Sequence, residues 1–304
     1  MKTPVALLIF KRADTTEKVF QAIRQVKPPQ LLVVADGARS DRPEEAEKCQ
    51  AARAIIERVD WDCEVLKNYS EVNLGCGKRV SSGLDWVFQN VEEAIILEDD
   101  CVPHPTFFRF CEELLTKYRH DERIMSISAL NVAERDRYTE DSYHFSLYHR
   151  CWGWATWKRA WRHFDYQMNL WSEIKEGNWL KDILINDNYV RDWTDIFQSV
   201  YEDRIDTWDY RWMFACWLQN GLSILPSANL VTNIGFNAEA THTKNATKKR
   251  DTLALESMNF PLRHPAFIIQ DKQADALIQT KIHSKRRFYY LKRNLKKYLH
   301  QQKD

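Results

Sequence analysis

The sequence predicts an α/β fold in which a mostly parallel central sheet has helices on both faces. Over about the first 130 residues, short apolar runs of strand length alternate with segments of helical periodicity, which is the pattern of successive βα units. The apolar run at residues 94–97 ends abruptly in Glu98, Asp99 and Asp100. Because ligands bind at the carboxyl ends of the strands in open α/β sheets, these acids predict a functional site there.

Apolar runs and helical periodicity place the individual elements. Strands are predicted at residues 4–10, 30–35, 63–66, 94–97 and 124–128, and helices at residues 16–26, 80–88, after Pro105 and up to Leu218. Asp14 or Thr15 can cap the first helix. Pro43 and the acids after it open the second helix, because the positive end of the helix dipole favours negative charge. The alternation predicts right-handed crossovers between parallel strands.

Length and composition indicate a globular chain. It has 304 residues, of which 44% are hydrophobic and 12% aromatic, and this composition excludes a disordered protein. No apolar run approaches the roughly 18 to 20 residues of a transmembrane helix. The first residues lack a small-residue cleavage site, so we interpret residues 4–10 as a strand and not as a signal peptide. Seven scattered Cys without a CxxC pair argue against a disulfide framework or a zinc module and predict a reducing, cytoplasmic location.

Charge is distributed unevenly along the chain. The net charge is +1, but residues 281–304 contain nine Lys or Arg and one Asp, which leaves the rest of the chain at −7. Phe288, Leu291, Leu295 and Leu299 recur at helical spacing in this tail, which predicts a basic amphipathic helix. Two interpretations stay open: the helix lies on the inner face of an anionic membrane, or it docks on the acidic body. An acidic body with one short basic run argues against a nucleic-acid partner.

Candidate ligand-binding residues follow the predicted strands in order. Arg12 comes after the first strand, Asp36 after the second, Lys78 and Arg79 at the start of a helix, and the three acids after the fourth strand. Clustered carboxylate oxygens suit a hard divalent cation such as Mn²⁺ or Mg²⁺ that is shared with substrate phosphates. Each feature also has an ordinary interpretation: a solvated acidic turn, an Asp-Gly turn pair, or a solvated helix face.

Together these features resemble the nucleotide-sugar-binding half of GT-A glycosyltransferases, which have a Rossmann-like sheet. More closely, the chain is similar to the N-acetylglucosaminyltransferase I group and to family 2-like transferases. That group has a Glu-Asp-Asp signature followed by a short loop and a helix with paired Phe, here Phe107 and Phe108. Residues 147–154 resemble its Leu-Tyr-Arg and Gly-Trp motifs, residues 208–213 its Trp-Asp-x-Trp-Met helix start, and residues 229–236 its Ser-Arg-Thr…Phe-Gly segment. The resemblance covers roughly residues 4–240.

The resemblance implies a role for each candidate residue. Arg12 and Asp36 would contact the nucleotide, Glu98 and Asp99 the ribose and nearby diphosphate, Asp100 the metal, and Asp209 would be the catalytic base of an inverting transfer. Lys78 and Arg79 are candidates for the diphosphate, and His242 for a further metal or phosphate ligand. Asp209 has the alternative role of a helix cap.

The implied domain division follows the same resemblance. A transferase domain would cover residues 1–245, with a nucleotide-sugar half to about residue 130 and an irregular, aromatic-rich acceptor half over residues 131–245. An extension with the basic helix would cover residues 246–304. Most of the Trp residues in the acceptor half are expected in the core, because large aromatics dominate core burial. Trp154 and Trp208 are the candidates for contact with the acceptor sugar.

The implied activity is metal-dependent transfer of a hexose or N-acetylhexosamine from a UDP-sugar to a glycan or lipid-linked glycan. A divalent ion neutralises the departing diphosphate, and one carboxylate takes the proton of the acceptor hydroxyl. A sugar-1-phosphate nucleotidyltransferase would need a Gly-rich loop where this chain has residues 10–14, and a haloacid-dehalogenase-like phosphatase would need Asp-x-Asp there. A carbohydrate-binding or scaffold protein on a catalytically decayed GT-A fold is the remaining alternative, against which both acidic features speak.

Overall fold

A computed structural model describes residues 1–131, 140–184, 186–235 and 254–282. Within these ranges an eight-stranded sheet lies at the centre, in the order β3-β2-β1-β4-β8-β6-β9-β7. Its strands are β1 (Val5–Ile9), β2 (Gln30–Ala35), β3 (Glu64–Tyr69), β4 (Glu93–Glu98), β6 (Ile124–Ser128), β7 (Tyr143–Ser146), β8 (Trp154–Trp157) and β9 (Leu222–Pro226). Two further strands, β5 (Cys101–Pro103) and β10 (Val231–Asn233), form a separate antiparallel pair. The five strands predicted from apolar runs are confirmed.

The strand directions divide the sheet into two parts. β1 pairs in parallel with β2 and β4, and β2 pairs in parallel with β3. β8 runs antiparallel to both β4 and β6, β9 is parallel to β6, and β7 is antiparallel to β9. The predicted mostly parallel sheet is therefore confirmed, and the two reversed strands lie in the second half of the chain, where the regular alternation lapses.

Helices cover both faces of the sheet. They are α1 (Ala13–Val26), α2 (Glu45–Ile56), α3 (Gly75–Asn90), α4 (Pro105–Lys117), α5 (Lys158–Trp161), α6 (Trp171–Glu176), α7 (Leu180–Ile183), α8 (Asp187–Tyr201) and α9 (Asp209–Leu218). Alternate residues of β1 point to opposite faces: Leu7 packs with α1, α2 and α4, whereas Leu8 packs with α3, α5 and α9. The two-faced α/β architecture predicted from the sequence is thus present.

The first helix begins differently from the prediction. Arg12 is its N-cap residue and makes no capping hydrogen bond with its side chain, so the predicted cap by Asp14 or Thr15 was wrong. Both of those residues lie inside the first turn. The hydroxyls of Thr15 and Thr16 instead donate to the Arg12 carbonyl, over 3.2 and 2.7 Å. Arg12 is therefore fixed at the point where β1 turns into α1.

Residues 254–282 pack on the body and belong to its core. Met258 and Leu262 join the cluster beneath α1 and α4, and Ala274 and Ile278 join a cluster around α8 and α9. Residues 272–282 are helical. The described part of the predicted extension is thus continuous with the body of the protein, whereas the basic positions from residue 285 onward lie outside the described residues. No helix in the described ranges has both the length and the apolar character that crossing a membrane requires.

Candidate active site

A cavity of about 200 Å³ lies at the carboxyl ends of β1, β2 and β4. Its wall is made by the turn after β1, the turn after β2, the first turn of α3, the end of β4, and one residue from the loop before α9, Asp206. Apolar residues of β1 and β2 line it together with charged residues from the turns that follow these strands. This is the edge of the sheet at which the sequence predicts a functional site.

Arg12 ties the acidic residues after β4 to the turn after β1. Its Nη2 donates to Oδ1 of Asp99 and, over 2.8 Å, to Oδ2 of Asp100. The Phe10 N–H donates to the other oxygen of Asp99, over 3.3 Å. Burial disfavours the charged guanidinium, but the neighbouring carboxylates outweigh that effect and raise the pKa of Arg12. Arg12, Asp99 and Asp100, predicted from separate parts of the sequence, therefore form one ion-paired group.

Negative charge is in excess at the end of β4. Burial raises the pKa of Glu98 to about 8, and Asp100, Asp99 and Asp209 add to this shift. Burial also raises the pKa of Asp99 to about 6, against the opposing effect of Arg12. Three carboxyl groups thus share one guanidinium, and a bound cation would favour their ionised forms.

Asp100 sits in a closely fitted environment beside the β5–β10 pair. Its Oδ1 accepts from Nδ2 of Asn233 over 3.1 Å, and its carbonyl accepts from the N–H of Ile234 over 2.9 Å. A Cβ at Gly235 would overlap the Asp100 carboxylate and the Arg12 guanidinium. The segment after β10 therefore covers this carboxylate with backbone alone.

Asp36 organises the loop before α3. Its Oδ1 accepts from the N–H groups of Gly37 (3.0 Å) and Leu74 (2.9 Å), and its Oδ2 from the N–H of Gly75 (3.2 Å) and from Nδ2 of Asn73 (3.0 Å). Burial raises the pKa of Asp36, although the N–H groups act in the opposite direction. All four lone-pair directions of the carboxylate are used by the protein, so its contribution to the cavity in this conformation is the shape of the loop.

Arg79 and Lys78 are adjacent in the sequence but differ in environment. Arg79 lines the cavity, yet its Nε donates to the Ala35 carbonyl over 3.0 Å and its Nη2 to Asn68, so it braces the ends of β2 and β3. Burial lowers its pKa. Lys78 is exposed on α3 and is not among the residues that line the cavity. Their predicted contact with a diphosphate stays a prediction.

Two cations that the sequence did not single out, Lys11 and Arg39, line the cavity and are held by the buried Glu45. Lys11 Nζ lies 2.7 Å from Glu45 Oε1, and Arg39 donates to both carboxylate oxygens, over 2.6 and 2.9 Å. Both cations also lie over the Phe10 ring, at 5.5 and 5.7 Å from its centroid. Burial would raise the pKa of Glu45, but the hydrogen bonds from Arg39 and Lys11 lower it to about 2. In the sequence, Glu45 stands out only as one of the acids at the start of the second helix, a position that the helix dipole explains.

Asp209 is the first residue of α9 and lies near the acidic group. Thr207 Oγ1 donates to its Oδ1, and its charge contributes to the raised pKa of Glu98. The side chain is partly exposed. Asp209 thus lies close enough to Glu98 to affect its pKa but is not among the residues that line the cavity, and an acid at the start of a helix also has a structural role.

Asp206 was missed by the sequence reasoning and closes the cavity beside α3. Its Oδ2 accepts from the Cys76 N–H over 3.0 Å and its Oδ1 from the Gly77 N–H over 2.8 Å. Leu74, the N-cap residue of α3, makes no capping hydrogen bond with its own side chain. A carboxylate 130 residues away therefore caps this helix.

The two candidate acceptor residues pack in the core. Trp154 has no exposed surface and Trp208 is 2% exposed. Their rings stack on each other with centroids 5.3 Å apart, within the cluster that includes α3 and α9. Neither ring has surface with which to contact a sugar in this conformation, so the structure places both in the core role expected of most Trp residues here.

The described residues contain no group of three or more His, Cys, Asp or Glu side chains arranged to hold a metal ion. The candidate ligand His242 lies outside those residues. The donor chemistry nevertheless fits a hard cation, because Asp99 and Asp100 offer carboxylate oxygens in a group with excess negative charge. Mg²⁺ is commonly held by one or two carboxylates, with substrate phosphates and water completing its coordination.

Comparison with known proteins finds little similarity. No model of a protein family matches the sequence, and no curated protein matches it significantly. Among solved structures, the chain is similar to residues 1–349 of TarS from S. aureus, with 12% identity and a TM-score of 0.33. The match covers 52% of this chain and 47% of that chain, so this chain spans about half the length of its neighbour. A TM-score of this size carries no argument for a shared fold or function.

Proposed function

We propose that this chain is a GT-A glycosyltransferase that transfers a sugar from a nucleotide-sugar donor to an acceptor hydroxyl with inversion. The observation that carries the proposal is the cavity at the carboxyl ends of β1, β2 and β4, which is lined by Lys11, Arg39 and the Arg12–Asp99 ion pair, with Asp100 bound to the same guanidinium. A nucleoside diphosphate has an apolar base face and a charged diphosphate, and the apolar and basic residues that line the cavity suit these two parts.

Transfer of the sugar from the donor to an acceptor hydroxyl would require a general base. The charge of the Asp209 carboxylate helps to raise the pKa of Glu98 at the end of β4. Asp209 would accept the proton of the attacking hydroxyl. Lys11 and Arg39 would attract the phosphates, while Arg12 would hold the acids of the cluster in place. General base catalysis of this kind typically contributes on the order of 10² to 10⁴ in rate.

A divalent cation, Mn²⁺ or Mg²⁺, is part of the proposal. Asp100 would be its protein ligand, and Asp99 and Glu98 would add negative charge around it. When bound, such an ion supplies Lewis-acid stabilisation of the departing diphosphate. The structural features that support this assignment are three carboxyl groups that share the one guanidinium of Arg12 and the raised pKa values of Glu98 and Asp99, which a bound cation would lower.

The finer identity of the partners is also proposed. The donor would be a UDP-sugar that carries a hexose or an N-acetylhexosamine, and the acceptor a glycan or a lipid-linked glycan. The protein would work in the cytoplasm, at the inner face of the membrane if its basic tail binds anionic lipid. Sedimentation with anionic and with neutral vesicles, for the full chain and for a chain ending at residue 282, tests the tail: equal sedimentation of both chains would contradict it.

Release of free nucleoside diphosphate from a panel of nucleotide sugars tests the proposed activity. With Mn²⁺ present, slow release from one donor is expected, and chelation of the metal should stop it. Formation of labelled nucleoside triphosphate and sugar 1-phosphate from a nucleotide sugar and labelled diphosphate would instead indicate a nucleotidyltransferase. No release from any donor, together with retention on glycan columns, would indicate the carbohydrate-binding alternative.

A further inference from the structure

The loop before α9 is attached to the cavity wall through Asp206. The Asp206 carboxylate accepts two hydrogen bonds from the first turn of α3, from the N–H groups of Cys76 and Gly77, while the same residue lines the cavity. Thr207, the next residue, donates its hydroxyl proton to Asp209. A short path of hydrogen bonds therefore connects the start of α3 with the carboxylate at the start of α9.

At Gly75 and Gly77, in the first turn of α3, the Asp206 carboxylate lies so close to the backbone that a Cβ would overlap it. A Cβ at Gly75 would lie 2.8 Å from Oδ2 of Asp206, and a Cβ at Gly77 would lie 2.7 Å from its Oδ1. Gly75 also has a φ of 80°, a left-handed conformation that glycine adopts without strain. Both glycines thus permit the close approach of the Asp206 carboxylate, so the sequence at the start of α3 is suited to this contact.

The other side of the loop is held from the body. Arg211 is buried, and its Nε donates to the Thr207 carbonyl over 3.2 Å while its Nη2 donates to the Val200 carbonyl over 3.0 Å. The loop of residues 206–209 is consequently fixed at both ends, by Arg211 to α8 and by Asp206 to α3. Asp206 supplies the attachment to the half of the molecule that forms the cavity.

We propose that Asp206 is a positioning residue for the reaction: by capping α3, it holds Asp209 at a fixed distance from the donor in the cavity. The inference rests on the proposed function, because Asp209 needs a fixed position only if it acts on an acceptor. Asp206 itself touches no reacting atom in this assignment. A displacement of about 1 Å in a catalytic group can cost on the order of 10²-fold in rate.

A double-mutant cycle tests this role through a measurement that a merely structural role would not change. The four proteins are the wild type, Asp206→Ala, Asp209→Asn and the double variant, and the reaction is hydrolysis of a nucleotide sugar that the wild type turns over with Mn²⁺. We expect Asp206→Ala to lower kcat roughly 10- to 100-fold with a change in donor KM of about threefold or less. In the Asp209→Asn background the same change should have no further effect on kcat.

Two further variants separate positioning from stability. Asn186 caps α8 by accepting from the Asn188 N–H over 2.8 Å, remote from the cavity, so Asn186→Ala removes a helix cap without touching this loop. It should lower the unfolding midpoint and leave kcat unchanged. If Asp206→Ala does not fold, Asp206→Asn allows the same cycle, because the amide keeps one acceptor oxygen and loses the charge.

The outcomes distinguish this inference from the proposed function. An unchanged kcat in Asp206→Ala, or an equal fall in both backgrounds, overturns the positioning role while leaving the transferase assignment in place. If Asn186→Ala lowers kcat as much as Asp206→Ala does, the effect is one of stability, and the positioning role is again overturned. If the proposed function itself is wrong, the result is different: the wild type releases no nucleoside diphosphate.

Discussion

Arg12 and Asp36 both follow a strand and both line the cavity, but their partners give them different tasks. Asp36 uses its carboxylate oxygens on the loop before α3, so its role in this conformation is to shape the wall. Arg12 joins two carboxylates that belong to the proposed metal and donor site. Residue type and position were visible in the sequence, but the partners depend on strand order and could not be read from spacing.

We expect Asp100→Asn to abolish metal-dependent binding of a nucleoside diphosphate, because it removes a negative charge and a hard oxygen donor from the acidic group. Calorimetric titration with UDP, with and without Mn²⁺, measures this loss. The control is Asp60→Asn, which removes a carboxylate that is also paired with an arginine, Arg24, on the surface away from the cavity. Equal affinity in Asp100→Asn and wild type would contradict the metal role.

Asp209→Asn should retain affinity for the donor and lose about 10²- to 10⁴-fold in turnover, since the amide cannot accept the proton. Asp187→Asn makes the same change at the first residue of α8, which lies away from the cavity. Both variants lose a favourable interaction with a helix dipole, about 0.3 to 1 kcal/mol, but only the first should lose turnover. Similar rates in both would show that Asp209 is only a helix-start acid.

At the scale of elements, α3 is the helix on which the site depends most. Its first turn contacts Asp36 and Asp206, its Arg79 braces β2 and β3, and its middle packs on β2 at Gly83. A Cβ at Gly83 would overlap the buried side chain of Val34. The distance between helix and strand is therefore set by the absence of a side chain at this position.

Gly83→Ala should destabilise the protein even though alanine is the better helix former. Overpacking of a core typically costs about 1 to 3 kcal/mol, which exceeds the roughly 1 kcal/mol gained in helix propensity. Gln89→Ala, at an exposed position of the same helix, is the control and should be neutral or slightly stabilising. Urea unfolding measures both, and a more stable Gly83→Ala protein would show that α3 can move away from the sheet.

Glu45 links the start of α2 to the turns after β1 and β2, and its contribution should depend on pH. Its folded pKa of about 2 lies below the ordinary value of 4.5, so its stabilising effect is complete above pH 4.5 and is lost as the pH falls toward 2. The difference in free energy of unfolding between wild type and Glu45→Gln should therefore narrow on acidification. A difference that stays constant from pH 6 to pH 3 would be evidence against the charged interactions.

The limits of prediction are visible in α3 and in the aromatic half. The sequence predicted a helix over residues 80–88, whereas α3 begins at Gly75, because the two glycines in its first turn are accommodated by a cap from Asp206 that no local pattern reveals. β1, β2 and β4 were predicted well because buried parallel strands are continuous apolar runs. Tryptophan occurs both in sugar-binding sites and in protein cores, so the sequence alone could not assign Trp154 to one of these roles. Only its burial in the structure distinguishes them.

At the scale of the whole molecule, residues 254–282 complete the body. Asp275 is buried and accepts from the Leu147 N–H over 2.9 Å and from Nε2 of Gln270 over 2.7 Å, and Gln279 accepts from the Tyr148 hydroxyl over 2.7 Å. These contacts satisfy polar groups at the end of β7 that removal of the segment would leave without partners. Residues 254–282 therefore contribute to the folded body, and the predicted division at residue 245 stays a prediction.

Truncation tests this boundary. A chain ending at residue 282 should unfold at the same temperature as the full chain, because it keeps all the packed contacts described. A chain ending at residue 253 should lose cooperative unfolding, since it exposes the core beneath Met258 and Ile278 and leaves Leu147 without its acceptor. Circular dichroism during heating measures both. An unchanged thermal transition in the chain ending at residue 253 would support the domain boundary at residue 245 that the sequence predicts.

The position of β4 in the sheet has a consequence for synthesis of the chain. β1, β2, β3 and β4 are complete once residue 98 has been made, but the other neighbour of β4 is β8, at residues 154–157. At roughly 5 to 20 residues per second, the ribosome takes several seconds to supply it. During that interval β4, with four buried apolar residues, is an open edge with unpaired amides, a template for pairing with another nascent chain. Holdase chaperones should therefore engage this protein at chain lengths between those two strands.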